Sequence, residues 1–142
     1  LKAASPALAR PGRRGYAARM SNAIREGLRA LEPLFHRPEH GTTRADFERM
    51  TEASFFETGA SGRRYSREFV LVELEKRHAS GAIRDEWSVD DDFLCSELSH
   101  DVYLVTYTLR QGERVTRRAT IWRRSADGWK AVYHQGTIVA ND

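Results

Sequence analysis

Glu57 follows Phe55-Phe56 and leads into Thr58-Gly59-Ala60-Ser61-Gly62, His134 and Gln135 are adjacent near the end of the chain, and Asp90-Asp91-Asp92 form an acidic triplet. A carboxylate set among phenylalanines loses hydration, which raises its pKa and suits it to exchange a proton or to hold a partner. Histidine is the natural partner: a carboxylate can fix its tautomer, and its ring can act as a general base near neutral pH. His134 and Gln135 cannot both look inward, because successive strand residues point to opposite faces. A second reading of the same residues is structural, with Glu57 and His134 or Gln135 satisfying the backbone at the Ser61-Gly62 turn.

The other reactive residue types argue against themselves. Ser61 lies on a tight small-residue turn but lacks the G-x-S-x-G elbow of a serine nucleophile. Alternation sends Asp91 away from Asp90 and Asp92, and with no nearby histidine or glutamate at ligand spacing the triplet reads as a solvated strand segment or bulge. Cys95 reads as a small core residue. No metal and no cofactor is expected.

The elements that must position these groups follow from periodicity. Ile24, Leu28, Leu31, Leu34 and Phe35 recur at three- and four-residue spacing, giving an apolar stripe on a helix capped by Ser21 or Asn22 and kinked or restarted at Pro33. Thr43 and Asp46 resemble a capping box for a short second helix that buries Phe47 and Met50. Phe55 to Glu57 read as a short strand. Ser66 caps a third helix with Phe69, Val70, Leu74 and Arg77 on one side, and Gly81 stops it. From residue 86 the pattern becomes Glu86 to Leu98, Asp101 to Leu109, Arg114 to Arg124 and Trp129 to Val139, separated by good turn residues, which predicts an antiparallel meander. Helices first and strands afterwards predict an α+β fold with helices on one face of a curved sheet.

At 142 residues and 40% hydrophobic, the chain predicts a single domain. Its longest apolar runs fall far short of the roughly 20 residues that cross a bilayer, so no membrane partner is expected. The net charge of +3 is unevenly spread: Lys2, Arg10, Arg13, Arg14 and Arg19 meet no acid in residues 1–20, leaving 18 basic against 20 acidic groups in residues 21–142. Residues 1–20 read as a disordered basic leader, with a linker, an early start codon or a transit peptide as alternatives. One cysteine excludes an internal disulfide and suits a cytoplasmic location.

The order helix, short helix, Phe-Phe-Glu-Thr-Gly-Ala-Ser-Gly, helix, then strands ending Trp-Lys-Ala-Val-Tyr-His-Gln-Gly-Thr resembles the nuclear transport factor 2-like superfamily over about residues 22–139. More narrowly it is similar to its SnoaL-like branch, domain of unknown function 4440. The resemblance implies a cone in which a bent sheet wraps around helices and leaves a pocket at the wide end. It also implies enzymes such as ketosteroid isomerase and scytalone dehydratase on one side, and binding or assembly modules on the other, so fold settles no chemistry. The isomerase's base and oxyanion-hole set does not align here, although Asp90-Asp91-Asp92 fall on a strand. A dehydratase-like set of His134 with Tyr65, Tyr103 and Tyr107 has no motif that demands it.

The expected function is therefore a homodimeric domain that binds a small apolar or amphipathic molecule inside the cone without catalysis. Ser61, Tyr65, Trp87, Tyr107, Thr120, Trp122 and Gln135 are the expected ligand-binding residues. The alternative is a SnoaL-like isomerase, dehydratase or hydrolase with Glu57 and His134 as its acid-base pair. The dimer is expected through the outer sheet face, because Val102, Leu104 and Thr106 alternate with Tyr103, Val105 and Tyr107 and leave both faces of that strand apolar. Nucleic acid is not expected: alternation divides Arg117, Arg118, Arg123 and Arg124 between two faces, with Arg118 and Arg124 on the side of Trp122.

Overall fold

The first helix begins earlier than its apolar stripe. In the computed structural model, which describes residues 12–82 and 86–140 without the side chains of 16–18, α1 spans Arg13–Leu31. Arg13 to Met20 thus extend the helix by two turns, where the sequence reading has a disordered leader up to residue 20. Arg13, Arg14, Arg19 and Met20 are exposed, and arginine and methionine are good helix formers. Residues 1–11, the remainder of that leader, lie outside the described residues.

Pro33 ends α1 rather than kinking it, because it cannot continue the hydrogen-bond ladder. Glu32 is the C-cap, its N–H bonded to Leu28 O at 3.0 Å. A turn through His36 and a 3₁₀ turn at Pro38–His40 lead to α2, Arg44–Arg49. The Thr43/Asp46 capping box forms, with both reciprocal bonds present and Phe47 buried beneath. α3 spans Arg67–Ser80; the Ser66 hydroxyl accepts from Phe69 N, and Gly81 closes the helix at φ 70, a left-handed conformation that costs a glycine little. Its buried face is Val70, Leu71 and Leu74, while Phe69 turns outward and stacks on Tyr65.

The strands are β1 Thr51–Thr58, β2 Arg64–Ser66, β3 Ser88–Val89, β4 Leu94–Ser99, β5 Val102–Gln111, β6 Arg114–Ser125 and β7 Gly128–Ile138. They form one mixed sheet ordered β2-β1-β7-β6-β5-β3, with β4 also on β5. The meander β4-β5-β6-β7 is antiparallel. The stretch Glu86 to Leu98 is not one strand. Asp90 to Phe93 interrupt it, since the Asp92 carboxylate takes Thr108 N and Oγ1 at 2.9 and 2.6 Å and Asp90 pairs with Arg110. Those carboxylates thus join β5 from the side and bend the edge instead of lying along a ladder.

The core fills the space between the helices and one sheet face: Leu28, Phe47, Phe55, Leu71, Phe93, Val105, Tyr107 and Trp122 are all buried. β1 is parallel to β7, and this pairing puts Glu57 directly beside His134. Neighbouring residues on paired strands share a face. The fold is α+β, a cone of sheet closed by helices, and no helix among the described residues is long and apolar enough to cross a membrane.

Candidate functional site

A cavity of about 570 Å³ opens between the inner sheet face, the end of α1 and α3. Glu57 and His134 line it from adjacent strands, and Thr120 and Arg118 line it from β6. Phe35, Phe55 and Leu74 give it apolar wall, and Trp87 covers one side.

Glu57 and His134 share the cavity but not a hydrogen bond. The imidazole is held instead by the two β6 side chains. Arg118 Nη1 lies 3.1 Å from His134 Nε2, and Thr120 Oγ1 lies 2.8 Å from Nδ1. A guanidinium has only donors, so Nε2 accepts and Nδ1 carries the proton. Thr120 therefore accepts from Nδ1–H, and its own hydrogen goes to Glu32 Oε2 at 3.0 Å. The same carboxylate accepts from Tyr107 Oη at 2.6 Å and Trp122 Nε1 at 2.6 Å. One directional chain runs from Arg118 through His134 and Thr120 to a fully buried glutamate with three donors.

This chain sets the charge states. Burial, and then the Arg118 charge, push the His134 pKa down to about 3, so the ring is neutral at physiological pH. Its free lone pair is already taken by Arg118. The expected general base near neutrality, with its tautomer fixed by Glu57, is not what the geometry provides: Thr120 fixes the tautomer. Glu32 is raised by desolvation against the opposing pull of its Tyr107, Trp122 and Thr120 bonds. Glu57 is also raised by desolvation, opposed only by the Arg118 and Arg77 charges at longer range. Among the described residues no hydrogen bond or ion pair reaches its carboxylate, so Glu57 is the acidic group free to meet a guest.

Of the expected ligand-binding residues, Tyr65, Trp87 and Thr120 line the cavity. Tyr107 and Trp122 lie behind the wall, spent on Glu32. Gln135 is exposed on the opposite face, accepting from Tyr133 Oη at 2.8 Å, as alternation from inward His134 requires. Ser61 is exposed next to the lining residues Gly59 and Ala60, and its Oγ accepts from Arg63 N at 3.4 Å.

Glu32, Arg118 and His36 are site residues that the sequence reading missed. Glu32 had a signal: it falls four residues after Leu28 and three before Phe35, inside the apolar stripe, where a carboxylate needs an explanation. Arg118 also had one, sharing a face with Thr116, Thr120 and Trp122. Gly136, opposite Arg118 on β7, explains how that side chain fits. A Cβ there would meet Arg118 Nε, Cδ and Cζ at 3.2, 3.3 and 3.4 Å, so a larger residue would press the guanidinium aside by a few tenths of an ångström.

No family model matches the sequence, and no curated protein does either. Solved structures do match. A nuclear transport factor 2-like protein from Cytophaga hutchinsonii is 13% identical with a TM-score of 0.57, covering 83% of this chain and 97% of that one. A candidate dehydratase of the same family from Streptomyces avermitilis is 17% identical, TM-score 0.63, covering 84% and 99%. A candidate ketosteroid isomerase from Parabacteroides distasonis is 15% identical, TM-score 0.60, covering 82% and 88%. At these identities the likeness is one of fold: the chain has the nuclear transport factor 2-like architecture, and none of these three singles out the SnoaL-like branch.

Proposed function

We propose that this nuclear transport factor 2-like domain binds a small amphipathic organic molecule inside its cone. The observation that carries the reading is the convergence of Glu57, Arg118 and the His134 ring on a single cavity of about 570 Å³ with phenylalanine and tryptophan in its walls. That size and that mixture of apolar wall with a few polar groups are typical of small-molecule sites. The network behind the wall holds Thr120, His134 and Arg118 in fixed positions, as recognition requires.

A second reading, a SnoaL-like isomerase, dehydratase or hydrolase, is favoured by one feature: Glu57 faces the cavity with a raised pKa and no partner, the condition of a general acid or base. In that reading Glu57 moves the proton, and His134 orients rather than titrates.

A native-mass or thermal-shift screen against lipophilic metabolites tests both readings, repeated with Glu57→Gln and His134→Ala. Binding that changes with both substitutions supports the site. Binding indifferent to both removes it, and turnover lost with Glu57→Gln while binding persists selects the enzyme.

We also propose a homodimer through the outer sheet face and a cytoplasmic location. Leu94 and Leu98 on β4 are 64% and 54% exposed, and Phe56 on β1 packs on Tyr133 at a centroid distance of 4.8 Å while still 43% exposed. Leu94 and Leu98 sit together on β4 and ask for cover, while Phe56 lies across the same sheet with β5, β6 and β7 in between. Sedimentation should give twice the monomer mass, and Leu94→Glu should return it to one; a monomeric wild type discards the dimer. Cys95, with its thiol pKa raised by burial, stays reduced in that setting, and thiol titration of freshly lysed cells checks it.

A further inference from the structure

We propose that the molecule this cone takes is a carboxylic acid, bound as its anion on Arg118 with its organic body against Phe35, Phe55, Leu74 and Trp87. The inference rests on the small-molecule reading above and names the class of guest.

The argument starts from the unfinished hydrogen bonding of Arg118. Its Nε donates to Thr116 Oγ1 at 2.9 Å, Nη1 to His134 Nε2 at 3.1 Å and Nη2 to Gln111 Oε1 at 3.5 Å. A guanidinium has five N–H donors, so one remains on each terminal nitrogen. All three acceptors are neutral. Burial pushes the Arg118 pKa down, which is the signature of a cation that has lost water without gaining a carboxylate in contact. Removing a charge from water without a bonded counter-ion is costly, and a bound carboxylate relieves that cost through two charge-assisted bonds.

The surroundings favour an anion entering. Arg63, Arg77 and Arg114 also line the cavity and are exposed at its edge. With Arg118 they make four cations against Glu32, Glu57 and Glu73, and Glu32 is fully engaged by its three donors. His36 and His134 are both neutral, their pKa values pushed down to about 4 and about 3. Positive groups around an apolar-walled opening draw an anion inward. The apolar walls beyond Arg118 suit a hydrocarbon or aromatic body, not a bare inorganic ion.

Glu57 makes the inference sharper. It shares the cavity with Arg118, Thr120 and His134 from the sheet, with Tyr65, its register partner on β2, with Glu32 and His36 from the end of α1 and the turn after it, with Glu73 and Arg77 from α3, with Arg63 from the β1–β2 turn, and with Arg114 from the start of β6. A guest carboxylate shares this space with Glu57, so the two negative charges repel unless Glu57 takes a proton. Anion binding and proton uptake are therefore coupled, and affinity falls as rising pH ionises Glu57.

The test uses 3-phenylpropionate, octanoate and indole-3-acetate beside their primary amides, by titration calorimetry in steps from pH 5 to pH 8. The wild type should bind the acids at least about tenfold more tightly than the amides, the equivalent of about 1.4 kcal/mol. Arg118→Met should bring the ratio near one, and Arg118→Lys, which keeps the charge and loses the planar fork, should give an intermediate ratio. As pH rises through this range the acid affinity should fall in the wild type relative to Glu57→Gln. Equal binding of acids and amides by the wild type, which needs no variant to fold, overturns the anion assignment and leaves the cavity reading standing. So does a ratio that survives Arg118→Met. A wild-type acid affinity that follows pH as Glu57→Gln does overturns the shared space with Glu57. Failure of every acid and amide, when neutral molecules bind in the wider screen, likewise removes only the acid assignment; failure of both sets removes the small-molecule reading too.

Discussion

Arg118 and Arg123 lie on the same strand, five residues apart, and live in different solvents. Arg118 points into the cone, where it has Thr116, His134 and Gln111 for company and a pKa lowered by burial. Arg123 points out, exposed, and its Nε reaches Glu52 Oε1 at 2.6 Å in an ordinary surface ion pair. Identical chemistry is costly and specific on one face and nearly neutral energetically on the other. Inside, the polar groups from Arg118 through His134 and Thr120 to Glu32 are each bound to the next, and removing one strands several. Outside, water replaces whatever is lost.

The largest test of that contrast is Glu32. The Tyr107 hydroxyl, the Trp122 indole N–H and the Thr120 hydroxyl all end on it, and it is 4% exposed. Glu32→Ala leaves three buried donors without an acceptor and opens a cavity beside Trp122. Breaking a buried charged network by removing one partner costs about 3–5 kcal/mol. Chemical denaturation should read a loss of about that size, and a loss below about 1 kcal/mol would mean the three bonds are not made in solution.

The next effect is pH-dependent and comes from His134. Its folded pKa of about 3 lies below the ordinary histidine value, so on acidification the unfolded chain takes a proton that the folded chain refuses. Stability conferred by the neutral ring is whole above about pH 6.5 and is lost as pH falls from there toward about 3. Linkage gives a loss of about 2 kcal/mol per such histidine between pH 7 and pH 5. Glutamine can donate to Thr120 and accept from Arg118 without titrating, so His134→Gln should lose about 2 kcal/mol less than the wild type over that interval. Parallel pH slopes for the two proteins would show that the ring protonates in the folded state.

The same contrast explains what was legible in the amino-acid order. Outward and inward faces were readable wherever alternation was unbroken: the split between Arg118 and Arg123 and the opposed His134 and Gln135 followed from period two alone, and the Thr43/Asp46 box and the Gly81 stop followed from cap chemistry. The closeness of Glu57 to His134 needed more. It comes from a parallel pairing between β1 and β7, strands separated by most of the chain, and no local pattern encodes that register. The break at Asp90 to Phe93 was hidden because Asp92 finds its partner on β5, and the early start of α1 because Arg13, Arg14, Arg19 and Met20 are exposed and continue no apolar stripe. The roles inside the site were the least readable part. Whether a ring is base or fixture depends on which neighbour reaches each nitrogen, and here Arg118 and Thr120 arrive before Glu57.

The smallest effect belongs to the outer face. Arg123→Ala removes the pair with Glu52, and in the Leu94→Glu monomer, where both side chains are partly in water, the loss should be no more than about 0.5 kcal/mol at moderate ionic strength and should shrink as salt is added. Its value lies in the comparison with Arg118, one register of the same strand away from water. If denaturation finds Arg123→Ala as damaging as a substitution of Arg118, then the outer face is not solvent-filled in the folded protein. The excess should then vanish in Leu94→Glu, because a second copy of the chain pressed against β4 and its neighbours is what would have shielded the Arg123 pair from water.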